Sequence, residues 1–538
     1  MFEFSNNNKK LITLAFFFFF LVIGILSYSD YGISIDEDNT RISGFVSLKY
    51  VLEIISLEKG LKLNEIINVP NINNYNEQGI GVIFDLPMAC IEYFFKIDDA
   101  REYYLLRHLC NFLIYFLSVY FFYLIAKKRF DSNLMGILAA TFIIISPRIF
   151  AESYYNNKDI IFMSLFIICL YTGINFLDKP NFLNSVLFSF TSALATDVRI
   201  LGIILPILII LIYTIKVSRE NVLKKDFIKI LSTFIFFTMF FIILFWPYLW
   251  ENPIKNFFIV LSNLSKFDVE IYNLYMGNYI NAKSLPWHYT LVWQLITIPI
   301  VYLILFLMGF LLVVYRFVKR LKQIENEDFW RGNNELLDLI FLATYLIPIF
   351  LIIIFNSTLY DGWRHLYFIY PSFLLIALSG LNFLRIMYFK KIKKMFIFLS
   401  ILFLLPTLTW MIKYHPHQYV YFNYFAGKNF NKSFEMDYWG LSNYHALNYI
   451  IENNNDSFYV TNVGTGDLTI SKNFVKKELR NKVNLVDNEK NADYIINNYR
   501  DWTGKIKDFD LVIPSNFNVF YEIKVDGVSI NTIYKKNE

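Results

Sequence analysis

The feature that most constrains this chain is the recurrence of apolar blocks about as long as a bilayer is thick. A spanning helix needs roughly 20 consecutive apolar residues. Blocks near that length fall at 11–27, 105–126, 160–176, 200–215, 228–246, 289–314, 336–355, 366–384 and 395–412, with two shorter ones at 134–145 and 185–195. They predict a polytopic α-helical membrane protein with about eleven transmembrane helices. Composition agrees: of 538 residues 56% are hydrophobic and only 18% charged, too little charge to cover a soluble body of this size. The net charge of +5 points to no nucleic-acid partner.

Basic residues give the orientation, because short cytoplasmic loops collect Lys and Arg. If the blocks alternate, one side carries Lys9, Lys10, Lys127, Lys128, Arg129, Lys179, Lys216, Arg219, Lys224, Lys225, Arg316, Lys319, Arg320, Lys322, Lys390, Lys391, Lys393 and Lys394. That side is expected to be cytoplasmic, with the N-terminus on it and the first block acting as an uncleaved signal anchor. The other side receives the loops 29–104, 146–159, 196–199, 248–288 and 356–365 and the tail from 414 onward. Segment 81–95, which holds Asp85, Pro87 and Glu92, is expected as an interfacial helix, and 45–57 as an amphipathic one.

The expected division is a transmembrane catalytic unit over 1–413 and an outer soluble α/β unit over 414–538. In the tail the apolar blocks stop and Asn, Lys and Asp become frequent. Residues 438–451 read as a helix, and 457–462 and 483–486 as strands. Runs 520–525 and 528–534 flank Asp526-Gly527, a hairpin turn signal. Cys90, Cys110 and Cys169 have neither metal nor disulfide spacing, so they are expected to serve packing. No two-halves repeat of the transporter kind is present.

Polar groups concentrate in the outer loops. Ser34-Ile35-Asp36-Glu37-Asp38 sets three acids directly after the first block, followed by Arg41. As a bland alternative they cap the helix that follows. The second loop, from Ser146-Pro147-Arg148 through Glu152 to Asn156-Asn157-Lys158-Asp159, is dense in hydrogen-bonding groups, and Asp159 is either a helix cap or half of a carboxylate pair. Asp197 and Arg199 interrupt two blocks at a depth where charge is costly unless it snorkels. Asp361-Gly362-Trp363-Arg364-His365 and Trp287-His288-Tyr289 fit an aromatic belt as well as a site. All five clusters share one face of the membrane. Carboxylates with arginines there suit a lipid-phosphate donor: a carboxylate can take a proton from an acceptor, and a guanidinium can meet the charge on a departing phosphate. No phosphate-cradling Gly-rich loop for a soluble nucleotide is present.

These segments resemble the GT-C class of membrane glycosyltransferases, in particular the protein-O-mannosyltransferase and aminoarabinose-transferase-like enzymes (glycosyltransferase family 39-like). The resemblance rests on Asp36-Glu37, Ser146-Pro147-Arg148 with Asn157-Lys158-Asp159, Arg199-Ile200-Leu201-Gly202, Leu285 to Tyr289, Arg364 to Pro371, and His415 to Asn423. It implies inverting transfer of a sugar from a polyprenyl-phosphate donor to a lipid, glycan or protein acceptor on the extracytoplasmic face. Asp36 would be the base, Glu37 its support and Asp159 a second acid, with Arg41, Lys158, Arg199, His288, Arg364 and His365 on substrate. Arg199 and Arg364 would take the lipid phosphate. Asp38 leaves the choice of base open among three acids. The resemblance leaves open a divalent metal shared by Asp36 and Asp159; no other cofactor is called for. The Asn, Lys, Ile and Phe bias suits an AT-rich bacterial genome and hence a plasma membrane. A lipid-linked saccharide polymerase or ligase is the first rival reading, a transporter or flippase the second, and a scaffold for the tail the third.

Overall fold

The computed structural model describes all residues except 1–5, 56–67, 78, 221–222, 265–269, 323–328, 390–391, 465, 507–511 and 538. Lys390, Lys391 and the end of the 45–57 stretch lie outside the described residues. Among the described residues nine helices are long and apolar enough to cross a membrane, and ten if a bent pair counts as one span. The protein is a multi-pass α-helical membrane protein with a small C-terminal sheet unit.

The two short blocks account for the difference from eleven. Block 134–145 becomes helix Asn133–Ile144, which turns by 70° into Pro147–Tyr155, so the chain does not continue as one straight helix. Pro147 has no N–H to donate and sits at the first helical position, where none is needed. Block 185–195 becomes Phe182–Val198, whose 17 residues reach only about 25 Å. Block 289–314 also divides, into Tyr289–Thr297 and Ile300–Lys322. Pro299 forces this: Ile298 before it is extended (φ −91°, ψ 139°).

Small residues set the helix spacing. Ile300–Lys322 crosses Tyr370–Met387 where Gly309 faces Gly380; a Cβ on Gly309 would lie 1.9 Å from the Ile376 carbonyl oxygen. The N-terminal helix Asn6–Ser27 packs through Phe17 and Phe20 against Phe112, Phe116 and Tyr123 of the 31-residue helix Ala100–Phe130. Lys127, Lys128 and Arg129 close that long helix at its negative dipole end, and Arg129 is forked onto Asp338 (2.7 and 2.6 Å).

The tail builds a five-stranded sheet in the order 483–485, 458–463, 494–497, 528–536, 517–525, the first two pairings parallel and the others antiparallel. The expected hairpin is present: Asp526 (φ 51°) and Gly527 (φ 80°) turn between Phe517–Val525 and Val528–Lys536. The expected helix runs Ser442–Asn453. Strand Tyr494–Asn497 was not expected; it is buried along its whole length, so it carries no in–out alternation. A second hairpin, Tyr272–Tyr275 with Asn278–Asn281, rises from loop 248–288 and meets the tail through the Tyr272 amide on the Trp502 carbonyl (2.9 Å). Segment 81–95 forms the helix Asp85–Phe95. Among the described residues the three cysteines are free thiols, with Cys169 buried.

Candidate active site

Three consecutive acids at a helix start cannot face one way, because successive residues are rotated by about 100°. In the first turn of Ile35–Ile54 they go to three partners. Glu37 is buried; it accepts from the Ser34 amide (2.7 Å) and stands 2.9 Å from His108 Nε2. Asp38 accepts from the Tyr104 hydroxyl (2.9 Å). Asp36 is left, its side chain 31% exposed, with the Arg364 Nη1 at 3.3 Å. The capping reading therefore holds for Glu37, and the base candidate with an open side is Asp36.

Loop 146–159 supplies the opposite wall. Asn156 takes the Asp159 amide on its Oδ1 (2.8 Å) and donates to Asp159 (3.2 Å) and Glu152 (2.7 Å). Glu152 is fully buried and also accepts from the hydroxyls of Tyr367 (2.7 Å) and Tyr438 (3.1 Å). Asn157 donates to Thr40 (2.7 Å) and Asp85 (3.1 Å), which ties this loop to the first one. The Asp159 carboxylate is buried between Arg199, in a short ion pair, and Arg364 Nη1 (3.2 Å).

Arg364 is the hub. One nitrogen, Nη1, is shared by Asp36 and Asp159; the other, Nη2, donates to Asp361 (3.1 Å). The Trp439 ring lies 4.5 Å from the guanidinium carbon and Tyr360 4.9 Å. The same Asp361 accepts from Arg500 (2.7 Å), which is also paired with Glu435. Burial raises the Asp361 carboxyl above its ordinary range against the pull of Arg500 and Arg364. It raises Glu435 to about 7 and Asp85, beside Arg107, to about 6.

The open side of the cluster is cationic. The Arg199 side chain is 24% exposed and its Nε, buried, has no hydrogen-bond partner. Nε of Arg364 and Nδ1 of His365 are likewise buried without partners. Half-buried Lys158 makes no side-chain hydrogen bond or ion pair among the described residues, and its charge acts on Asp85 and His365. Asp36, Asp159, Arg199, Arg364, His365 and Lys158 are thus gathered in one place. Two candidates lie elsewhere. Arg41 is held by Glu92 (2.7 Å) over the Tyr103 ring, in a buried set with Arg107 and Asp85. His288 is 2.7 Å from the Tyr275 hydroxyl, beside the hairpin at 272–281. Asp197 accepts from the Ile83 amide (2.9 Å) and anchors the segment that leads into helix Asp85–Phe95. Trp363 is not in a belt: it is buried and donates to Thr297 (2.9 Å), whereas Trp287 is exposed.

A metal between Asp36 and Asp159 does not fit this arrangement, because Arg364 Nη1 stands where both carboxylates converge. No group of three or more His, Cys, Asp or Glu among the described residues is placed to hold one. Asp361, Glu435 and Arg500 escaped the sequence reading as site residues. Asp361 stood inside a motif singled out there, but Glu435 and Arg500 had no local signal.

Residues 89–246 match the family model described as dolichyl-phosphate-mannose-protein mannosyltransferase. The matched stretch contains Lys158, Asp159 and Arg199 but neither Asp36 nor Arg364, and covers less than a third of the chain. No curated protein matches the chain. Among solved structures, ArnT from Cupriavidus metallidurans in the apo state aligns at 12% identity and TM-score 0.45, over 98% of this chain and 98% of that one. The same protein bound to undecaprenyl phosphate aligns at 11% identity and TM-score 0.41, over 97% of each chain.

Proposed function

We propose that the protein is a membrane glycosyltransferase that moves a sugar from a polyprenyl-phosphate donor to an acceptor on the extracytoplasmic face, with inversion. The observation that carries this reading is one partly exposed carboxylate, Asp36, joined through the shared Arg364 nitrogen to Asp159 and so to the partly exposed Arg199. The family match adds to it, since dolichyl-phosphate-mannose is itself a polyprenyl-phosphate sugar.

In this mechanism Asp36 takes the proton of an acceptor hydroxyl. The oxygen attacks the anomeric carbon from the side opposite the phosphate, and the bond from that carbon to the phosphate oxygen breaks. The electron pair leaves with the polyprenyl phosphate, whose growing charge is met by Arg199, Lys158 and the free Nε–H of Arg364. Asp159 holds both arginines and takes no proton. Glu37 and Asp38 fix the helix start that presents Asp36. The expectation that Arg364 binds the lipid phosphate narrows to that one Nε–H, because its terminal nitrogens are on carboxylates.

The test is transfer of radiolabelled sugar from a polyprenyl-phosphate-sugar pool in membranes carrying the wild type or Asp36→Asn at equal expression. Transfer by the wild type and its loss in the variant is the expected result. Transfer by both removes Asp36 from the role of base, and transfer by neither removes the donor class.

A further inference from the structure

The tail reaches into the site through a chain of alternating charge. Glu435 is paired with Arg500, Arg500 with Asp361 Oδ1, Asp361 Oδ2 with Arg364, and Arg364 with Asp36 and Asp159. The first four of these are buried, with relative exposures of 3–6%. The backbone around them is set as tightly. Asp361 is in the left-handed region (φ 57°), and its amide donates to Asn273 of the hairpin at 272–281 (3.1 Å). The Leu274 amide, next along, donates to Glu435 (3.0 Å). From the other direction the Ile35 amide, one residue before Asp36, donates to the carbonyl of Trp439, whose ring covers Arg364.

We propose that Arg500 is a positioning residue of the transfer reaction: by holding Asp361 it keeps Arg364 between Asp36 and Asp159, so the tail completes the active site. The proposal rests on the function proposed above. Asp361 divides its charge between two arginines, one oxygen to each. With Arg500 removed, Arg364 is the one cation in contact with that buried carboxylate. The guanidinium then swings toward Asp361, and Nη1 leaves the point where it meets Asp36 and Asp159. A displacement near 1 Å at such a group costs about 100-fold in rate. Arg199 keeps its own ion pair with Asp159 and neither it nor Lys158 contacts Arg500 or Asp361, so the donor KM is expected to change far less than kcat.

The experiment measures kcat and donor KM of the purified full-length protein for wild type, Arg500→Gln, Asp361→Asn and the double variant, with a polyprenyl-phosphate-sugar donor. Arg500→Gln is expected to lose about 100-fold in kcat with donor KM within about threefold. The double variant, in which Arg364 no longer faces an ionised carboxylate at position 361, is expected to regain at least about tenfold over Arg500→Gln, a coupling of opposite sign to simple damage. If Arg500 only anchors the tail, the double variant is no better than Arg500→Gln, and the proposal fails. It fails equally if Arg500→Gln keeps kcat within about threefold of wild type. Should Arg500→Gln not fold, Arg500→Lys decides. A point ammonium cannot serve Glu435 and Asp361 together, so about a tenfold loss in kcat at unchanged donor KM is expected, and an unchanged kcat overturns the proposal. A wild type inert toward the donor would instead refute the function; an active wild type with an indifferent Arg500 would refute only the positioning role.

Discussion

Asp36→Asn and Asp159→Asn remove the same charge from the same arginine nitrogen, yet the structure sets their consequences apart. Asp36 makes one ion pair, at 3.3 Å, and is 31% exposed. Pairs of that kind contribute about 0–1 kcal/mol to stability. Asp159 is buried and meets Arg199, Arg364 and Asn156. Its neutralisation leaves two guanidinium groups short of a counter-charge, at a cost of about 3–5 kcal/mol. With an unfolding entropy of about 2.1 cal/mol/K per residue, a chain of 538 residues loses about 1 °C of melting temperature per kcal/mol. Asp36→Asn should therefore shift the melting point by about 1 °C or less, and Asp159→Asn by about 3–5 °C. Activity should behave differently. Loss of a general base removes about 10²–10⁴ in kcat, or roughly 3–5 kcal/mol of barrier. The assay pairs tryptophan-fluorescence melting in detergent with transfer kinetics on the same preparations. Asp36→Asn within about threefold of wild-type kcat, or melting as low as Asp159→Asn, would refute the division into an exposed base and a buried anchor.

Lys158→Ala should raise the donor KM about tenfold with kcat little changed, and Lys158→Arg should keep it low; initial rates against donor concentration decide. Glu435 is protonated more readily folded than unfolded, since burial lifts it from 4.5 to about 7. Its contribution to stability is fully present below about 4.5 and is lost as pH rises through about 7. Melting points measured from pH 5 to pH 8 should fall, and Glu435→Gln should flatten that slope. Gly309→Leu should abolish the folded, monodisperse protein on size exclusion, because even a Cβ there meets the Ile376 carbonyl oxygen at 1.9 Å; an unaffected elution profile would refute the close helix crossing.

Much of the membrane part was legible because bilayer thickness acts locally: each spanning block must satisfy it within its own residues. What escaped was where a block stops being one helix. The run 289–314 is apolar throughout, but Pro299 lies inside it, and the extended Ile298 divides the run. Proline was the readable sign, overridden by hydropathy. Residues 494–497 escaped for another reason. A four-residue strand buried on both faces has no alternation to read, and its neighbours at 458–463 and 528–536 come from distant parts of the tail. The hairpin at 272–281 turns on Met276-Gly277, with Met276 at φ 51°, a conformation that no propensity assigns to methionine.

The site divides along the same line. Asp36, Lys158, Asp159, Arg199 and Arg364 were legible because each sits where an apolar block meets polar sequence, a position in which a charge needs a reason. Arg500 and Glu435 sit in ordinary polar tail sequence, and only tertiary contact, across 139 positions between Arg500 and Asp361, brings them to the candidate site. Their presence closes a charge balance on the proposed reaction. Asp36, Asp159, Asp361 and Glu435 carry four negative charges when ionised, and Lys158, Arg199, Arg364 and Arg500 four positive ones. A donor phosphodiester brings one negative charge and departs as a phosphate with two, while Asp36 becomes neutral by taking the acceptor proton. The net charge of site and substrates is then the same before and after transfer; the charge moves from the carboxylate at Asp36 to the phosphate beside Arg199 and Lys158. In the proposed reaction, transfer thus moves charge within the cluster without creating any there, which keeps the solvation cost nearly equal in ground and transition states. The exposed side of Asp36 then returns the proton to water.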